Sequence, residues 1–599
     1  LTDTLFKIHK KIYDWFKISY DNFSRTSREI HHKTTQEFFL RIYKNGFISE
    51  GELKLPFCPS CKRFLPDRYV EGVCPYCGYD GARGDQCEKC GHLLDPDELR
   101  RPRCAICGSK PEFKITKHLF LRLDKLQSKL EKWIKSNEHW KDYVVSLALG
   151  WIKEGLKKRC ITRDLKWGVK VPLKGYENKV FYVWFDAPIG YISSTKEWAI
   201  KVGKPKEWEK FWKDPKARIY NFLGKDNIPF HTIFWPGMLI AHGDFNLPYQ
   251  VVGLNYCNYE GGKISKSRGW GIFCDKMLEA GIDVDIWRYY LIHLIPETKD
   301  TEFKWKEFED RINNELVANI GNFVYRTLSF VWKNFDGILP SYEKLEKEDE
   351  EMLELTSDFV VKIEKFLEDV RIRDALSQVV SLSVACNKYF QQNQPWKNLE
   401  RARVVVNVCI NICKTIAVIL YPFLPSSSEK LWRQLNLSKS ISWEEAKKFD
   451  IRSGHRIKKP EILFKKIEKK DIERLKKVVT KVTPLEEIFK VNKITINDFK
   501  RVEMKVGTVV EVEDIKGSTK LYKLKVDFGD GKLRQAVAGL KPYYKKEEIK
   551  EKQFVFVTNL QPKRIMGEIA EVMILAAVKG GKVSLIKPDK KVENGARLE

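Results

Sequence analysis

The segment Gly261-Gly262-Lys263-Ile264-Ser265-Lys266-Ser267-Arg268-Gly269 concentrates charge chemistry in one short loop. Its glycines let the backbone turn tightly and come close to a ligand. Lys263 and Lys266, with Ser265 and Ser267 beside them, aim ammonium and hydroxyl donors at one small volume, and Arg268 adds a third positive charge. Such a loop suits a polyphosphate whose charge grows during reaction. A solvated basic loop is the alternative. A second concentration is sulfur: Cys58/Cys61, Cys74/Cys77, Cys87/Cys90 and Cys104/Cys107 are four Cys-x-x-Cys pairs. A tight turn between paired cysteines aims both thiolates at one ion, and four thiolates complete a closed, tetrahedral, structural zinc site. Spacing leaves the pairing open between a sequential arrangement (58/61/74/77 with 87/90/104/107) and a nested one (74/77/87/90 inside 58/61/104/107).

A third set is aromatic. Trp184, Tyr191, His231 and Trp235 could line an apolar pocket with few polar handles. The alternative is core aromatics around a satisfied core histidine. Finally, Asn322 and Arg326 lie one helical turn apart and Trp396 follows a proline. Amide, guanidinium and indole together could stack on and hydrogen-bond unpaired bases, or be ordinary surface groups.

Elements must position these groups. A chain of 599 residues needs several cores. Its net charge of +27 points to a polyanionic partner, nucleic acid first. No uninterrupted apolar run spans a membrane, and Val404–Leu424, broken by Asn407, Asn411, Lys414 and Pro422, reads as a buried bundle helix. Residues 1–50 read as helical, 51–114 as the cysteine-rich insertion, and 115–285 as mixed α/β. In the last, Lys179–Phe185 reads as a buried parallel strand whose C-terminal end, Asp186–Tyr191, leaves room for a ligand. A second strand, Ala217–Leu223, leads to a helix that places His231 and Trp235 on one face. Residues 286–450 keep a helical period and predict a bundle; 451–493 read as a basic tether; 494–599 alternate as strands of an OB-like barrel with basic insertions at Lys541, Lys563 and Arg564.

Several motifs agree in order and spacing with one family. Tyr182-Val-Trp-Phe-Asp-Ala-Pro-Ile-Gly-Tyr191, Gly224-Lys-Asp-Asn-Ile-Pro-Phe-His231 through Phe234-Trp-Pro236, Phe64-Leu-Pro-Asp-Arg68 among the knuckles, and Lys263–Ser267 together resemble methionyl-tRNA synthetase, a class I aminoacyl-tRNA synthetase, of archaeal or eukaryotic kind. The 263–267 stretch is similar to the KMSKS signature, with Ile264 replacing methionine, and residues 494–599 resemble an appended tRNA-binding domain. The resemblance implies a Rossmann-type catalytic domain with a zinc-knuckle insertion, a helical anticodon domain and an OB fold. It implies Trp184, Ala187, Pro188, Tyr191, His231 and Trp235 around the methionine side chain. Lys263, Ser265, Lys266 and Ser267 would lie on ATP, with the two lysines catalytic, and Asn322, Arg326 and Trp396 on the anticodon. It favours nested zinc pairing and brings in methionine, tRNA(Met), ATP with Mg²⁺, a homodimer through the C-terminal domain, and the cytoplasm. One departure stands out: the family's His-x-Gly-His motif occurs nowhere in the chain. Leu1 opening in apparent mid-helix suggests that the first Rossmann half is missing, or is encoded as a separate N-terminal half, and that the chain alone does not activate methionine. The rival expectations are another class I synthetase (isoleucine, valine, leucine or cysteine) and a non-catalytic tRNA-binding or assembly protein.

Overall fold

The computed structural model describes residues 2–66, 69–84, 87, 89–90, 94, 96–266, 269–482, 496–579 and 582–598. The chain divides into two units, Leu1–Val482 and Thr483–Glu599.

In the first unit the helix Glu29–Lys44 turns Phe38, Phe39 and Ile42 inward and packs on the helix Val183–Lys201. Between them in sequence, an antiparallel hairpin, Ile48–Cys58 with Glu112–Leu121, runs in register from Ile48↔Leu121 to Phe57↔Glu112. Beyond its far end a three-stranded sheet, Val70–Val73 between Asp80–Arg83 and Arg100–Cys104, carries the knuckles.

The expected strand Lys179–Phe185 is corrected by the structure. Only Val180–Phe181 is extended, antiparallel to Thr162–Arg163. The helix Val183–Lys201 then starts, so Asp186–Tyr191 lies inside it with Pro188 in its interior. Proline disfavours α-conformation in its predecessor. Burial of Phe185, Ile189 and Ile192 at i, i+4 and i+7 outweighs that preference. The second expected strand is present as Tyr220–Gly224, parallel to Gln250–Leu254. A Cβ on Gly253 would stand 2.5 Å from Ile228 Cδ1, so glycine here lets the segment leading to His231 lie against the sheet. Phe230–Phe234 is a π-helical turn that widens before the helix Trp235–His242.

Residues 286–482 form a helical bundle around the largest apolar core. A second π-helical stretch, Ile312–Gly321, runs directly into the helix Asn322–Asn334. The helices Lys347–Glu368, Ile372–Asn393 and Leu399–Leu420 pack beside it. Leu399–Leu420 is the one helix among the described residues long and apolar enough to cross a membrane, and 94% of its most apolar window is buried inside the protein. The basic tether expected over 451–493 is also corrected. Ile457, Phe464, Ile467, Ile472, Leu475 and Val479 join the bundle core, the last three on the helix Lys469–Val479. Residues 483–493 lie outside the described residues.

The second unit is a five-stranded antiparallel sheet in the order Leu533–Ala538, Tyr522–Asp527, Met504–Asp514, Gln553–Val557, Met573–Ile574. A parallel bridge, Ala536↔Val572, curls its ends toward each other into a near-barrel around Leu524, Val526, Phe528 and Phe556.

Candidate functional site

Two elements bring the aromatic set together. The helix Val183–Lys201 presents Tyr191, and the π-turn presents His231. Tyr191 Oη lies 2.9 Å from His231 Nε2. His231 Nδ1 lies 3.1 Å from the Asn227 carbonyl, which can only accept, so Nδ1 carries the proton and Nε2 accepts from the tyrosine hydroxyl. Burial pushes the His231 pKa below the usual value, which keeps the ring neutral. Tyr191 meets Trp235 edge-on at 6.1 Å. Trp235 is fully buried against Phe38 and Trp212, and its Nε1–H has no partner among the described residues. Trp184 is half-exposed and reaches the group only through Phe230, which it meets edge-on at 5.2 Å. Pro188 is buried; Ala187, between them on the same helix, is partly so. Asp186 sits on the same helix, with Oδ1 buried and unpartnered among the described residues and Oδ2 3.8 Å from His31 Nε2.

The cationic loop is pinned at both ends. Gly261 takes φ +81° and donates its N–H to Glu302. Reciprocal backbone bonds between Ser265 and Trp270 (2.8 and 3.0 Å) close the turn. Lys263 and Lys266 are exposed and have no carboxylate partner among the described residues. Lys263 Nζ lies 5.4 Å from the Tyr256 ring centre, and Lys225 Nζ covers the same ring at 4.2 Å. Tyr256 donates to Asp226 at 2.5 Å, so the loop and the turn preceding His231 converge on one tyrosine. Ser267 and Arg268 lie outside the described residues, as do Asp67 and Arg68 of the knuckle motif.

The eight knuckle sulfurs gather as two sets, Cys58/Cys61/Cys104/Cys107 and Cys74/Cys77/Cys87/Cys90, each within 4.8 Å. All are free thiols. The spacing fits zinc. With Zn–S near 2.3 Å, tetrahedral sulfurs stand about 3.8 Å apart, and the observed separations are 3.4 and 4.0 Å in the first set, 3.8 and 3.6 Å in the second. The Cys90 N–H brings the Cys87 thiol down to about 6, and the Ser109 hydroxyl does the same for Cys107.

On the bundle, Asn322 Nδ2 donates to Asn387 Oδ1 at 3.2 Å, and Arg326 Nη2 to Gln391 Oε1 at 2.8 Å. The Arg326 guanidinium lies 4.6 Å from the Phe390 ring centre and 5.0 Å from that of Trp396. An amide, a guanidinium and a half-exposed indole thus share one surface. Asn387, Phe390 and Gln391 were not singled out in sequence; they repeat at helical spacing on Ile372–Asn393, the only local signal available. On the second unit Lys563 and Arg564 are exposed, whereas Lys541 is tied to Asp514 at 2.7 Å.

Comparison with known proteins agrees along the whole chain. Residues 1–328 match the family described as tRNA synthetases class I (M), 339–481 the anticodon binding domain of methionyl tRNA ligase, and 504–597 a tRNA binding domain. Methionine–tRNA ligase of Methanopyrus kandleri is 44% identical over 97% of this chain and 87% of its own length. That of Pyrococcus furiosus is 40% identical over 98% and 89%. The fold resembles Mycobacterium tuberculosis methionyl-tRNA synthetase in complex with methionyl-adenylate, with a TM-score of 0.62 at 23% identity over 76% of this chain and 85% of that one. By the extent of these matches, the chain belongs to the methionyl-tRNA synthetase family of class I.

Proposed function

We propose that this chain acts as a methionine–tRNA ligase: it activates methionine with ATP and passes the methionyl group to the 3′ end of tRNA(Met). The methionine carboxylate attacks the α-phosphorus of ATP, pyrophosphate leaves, and the terminal ribose hydroxyl then takes the acyl group. Neither step needs a bond to the enzyme, so the protein contributes position and charge. Lys263 and Lys266, helped by Ser265 and Ser267, stabilise the charge that accumulates on the departing pyrophosphate; magnesium enters with ATP. Trp184, Ala187, Pro188, Tyr191, His231 and Trp235 hold the side chain.

The observation that supports this most is the proton accounting at Tyr191 and His231. With Nδ1–H spent on Asn227 and the tyrosine hydroxyl spent on Nε2, this pair offers a substrate no free donor. That suits a polarizable thioether among aromatic rings better than an amide or an ammonium. Asn322, Arg326 and Trp396 read the anticodon, and the C-terminal unit adds affinity for tRNA. The nested cysteine sets hold structural zinc in the cytoplasm, where thiols stay reduced. Two copies pair through the C-terminal unit, where Val578 is exposed.

The nucleotide site needs an N-terminal half carrying His-x-Gly-His, in the same polypeptide or as a separate chain. This is supported by the strand Tyr220–Gly224, which among the described residues pairs with Gln250–Leu254 alone and carries the exposed Phe222. The test is methionine-dependent ATP–pyrophosphate exchange, and charging of initiator tRNA, with and without that half. Exchange only in its presence is expected. Exchange by this chain alone overturns the need for it. Binding of tRNA without exchange in either arm overturns the ligase reading in favour of a tRNA-binding protein.

A further inference from the structure

Beneath the surface that bears Arg326 and Trp396 lies a polar network that packing alone does not require. Arg401, near the start of the helix Leu399–Leu420, is its centre. Its Nη1 and Nη2 donate to the two oxygens of Asp349 at 2.6 and 2.7 Å. Nη2 also donates to Glu348 Oε1 at 2.8 Å, and Nε to Asn393 Oδ1 at 2.7 Å. Asp349 is fully buried and accepts as well from the Tyr389 hydroxyl and from the Glu346 N–H. A buried ion pair adds little net stability over apolar residues of the same volume. A bidentate guanidinium fork does fix direction, which a lysine in its place would not.

What the fork directs is the turn that carries Trp396. Asn393 ends the helix Ile372–Asn393, and its Nδ2 donates back to the Tyr389 carbonyl at 3.1 Å. Gln394 then takes φ +41°, a left-handed conformation uncommon for a residue other than glycine. The Lys397 N–H closes the turn on the Gln394 carbonyl at 2.8 Å, and Asn398 Oδ1 caps the next helix by accepting from the Glu400 and Arg401 N–H groups. Trp396 itself has little to hold it. Its indole is half-exposed, and its Nε1–H has no partner among the described residues. Its ring contacts are Phe390, 6.4 Å between centres, and the Arg326 guanidinium at 5.0 Å. The turn therefore sets the place of the indole, and the Arg401–Asn393 bond ties the two ends of the turn together. Tyr389 belongs to the helix whose Asn387 and Gln391 hold Asn322 and Arg326, so one carboxylate, Asp349, fixes both halves of that surface.

We propose that Arg401 and Asn393 are positioning residues that determine anticodon specificity: they clamp the turn 394–398 so that Trp396 stands against Arg326 before any RNA arrives. Both act through Trp396. An indole already in place spares the RNA the cost of ordering it, which is how preorganisation adds affinity. The inference rests on the anticodon role proposed above for Asn322, Arg326 and Trp396.

The test is a binding cycle. Dissociation constants are measured at one fixed salt concentration for tRNA(Met) and for the same tRNA with its anticodon bases replaced. The proteins are the unmodified chain, Trp396→Ala, Asn393→Ala, Asn393→Asp, Arg401→Lys, and Asn393→Ala combined with Trp396→Ala. The unmodified chain should prefer the native anticodon. Trp396→Ala should weaken native tRNA by roughly fivefold to a hundredfold, the loss of one stacked base. Asn393→Ala should weaken it by roughly threefold to tenfold and leave the replaced-anticodon tRNA within about twofold. Asn393→Asp keeps the acceptor for Arg401 Nε and should restore most of the preference; Arg401→Lys keeps the charge without the fork and should lose it. The double variant should be no worse than Trp396→Ala alone, because Asn393 acts through the indole. Additive losses in the double variant, equal weakening of both RNAs by Asn393→Ala, or an Asn393→Ala chain that unfolds at lower urea yet keeps its full preference, overturns the assignment while the anticodon role stands. Equal binding of both RNAs by the unmodified chain, or no loss in Trp396→Ala, overturns the anticodon role and the assignment with it. Because the readout is binding, it does not depend on methionine activation. Asn393 is only partly buried, so its variants leave the bundle core untouched.

Discussion

Replacing Tyr191 by phenylalanine removes one hydroxyl and leaves a defined orphan. His231 is 5% exposed, and among the described residues its Nε2 accepts from Tyr191 alone, 2.9 Å away. Stranding a buried acceptor costs about 1–3 kcal/mol, and a methionine side chain has no proton to offer in compensation. The kcat/KM for methionine in ATP–pyrophosphate exchange should therefore fall roughly 5- to 150-fold, measured on whichever assembly supports exchange. The KM for ATP should stay unchanged, because Lys263 and Lys266 are on another element. A second substitution sharpens the test. Tyr191→Phe combined with His231→Phe removes both polar partners, so the double variant should cost less than the sum of the singles, with a coupling of about 1–2 kcal/mol. Because burial pushes His231 below its usual value, the unmodified enzyme should show no histidine step near pH 6.5; methionine binding should weaken only on the acid side of that value. Additive losses, or a Tyr191→Phe variant within about twofold of the parent, would refute this account of the pocket.

Trp396→Ala should lower kcat/KM for tRNA charging by roughly tenfold to a hundredfold, from lost base stacking and the lost face under Arg326. Methionine-dependent exchange should remain intact, and a parallel fall in exchange would argue against anticodon reading. Metal analysis should find two zinc ions per chain, one per cysteine set; Cys104→Ser should leave one and Cys104→Ser with Cys87→Ser none. Acid stability is set in part by His242, packed between Phe38 and Phe245 at 4.5 and 4.6 Å, where burial pushes its pKa down to about 4. The unfolded chain binds that proton first, so stability should drop as pH falls from about 6.5 to 4, by up to about 3 kcal/mol. Urea unfolding of His242→Gln should show a shallower loss over that window.

Local spacing carried much of this molecule into view before any coordinates. Each Cys-x-x-Cys pair is a turn-scale signal, and so are Asn322 and Arg326 at i, i+4. Which pairs share an ion is not local. It depends on the Ile48–Cys58/Glu112–Leu121 hairpin bringing Cys58 and Cys104 together across their sequence separation. Asn387 and Gln391 were missed for the same reason: each lies 65 residues from the side chain it holds. Two errors came from one cue outweighing another. Aromatic and β-branched residues around Lys179–Phe185 masked the Phe185, Ile189, Ile192 helical period, and dense lysines over 451–482 masked apolar residues that complete the bundle core. His231 is ambiguous in sequence because its hydrogen-bond partner Tyr191 lies on another helix, 40 residues away.

The wide turns that precede both functional helices set their rotational phase. In Ile312–Gly321 each turn holds more residues than an α-helix does, and Asn322 begins where that stretch stops. Excising a single residue there would swing everything after it by roughly a quarter-turn about the axis. The face bearing Asn322 and Arg326 would then point away from Asn387 and Gln391, with no recognition residue altered. The length of an inconspicuous stretch is thus as much a part of the proposed RNA-reading surface as the side chains it aims.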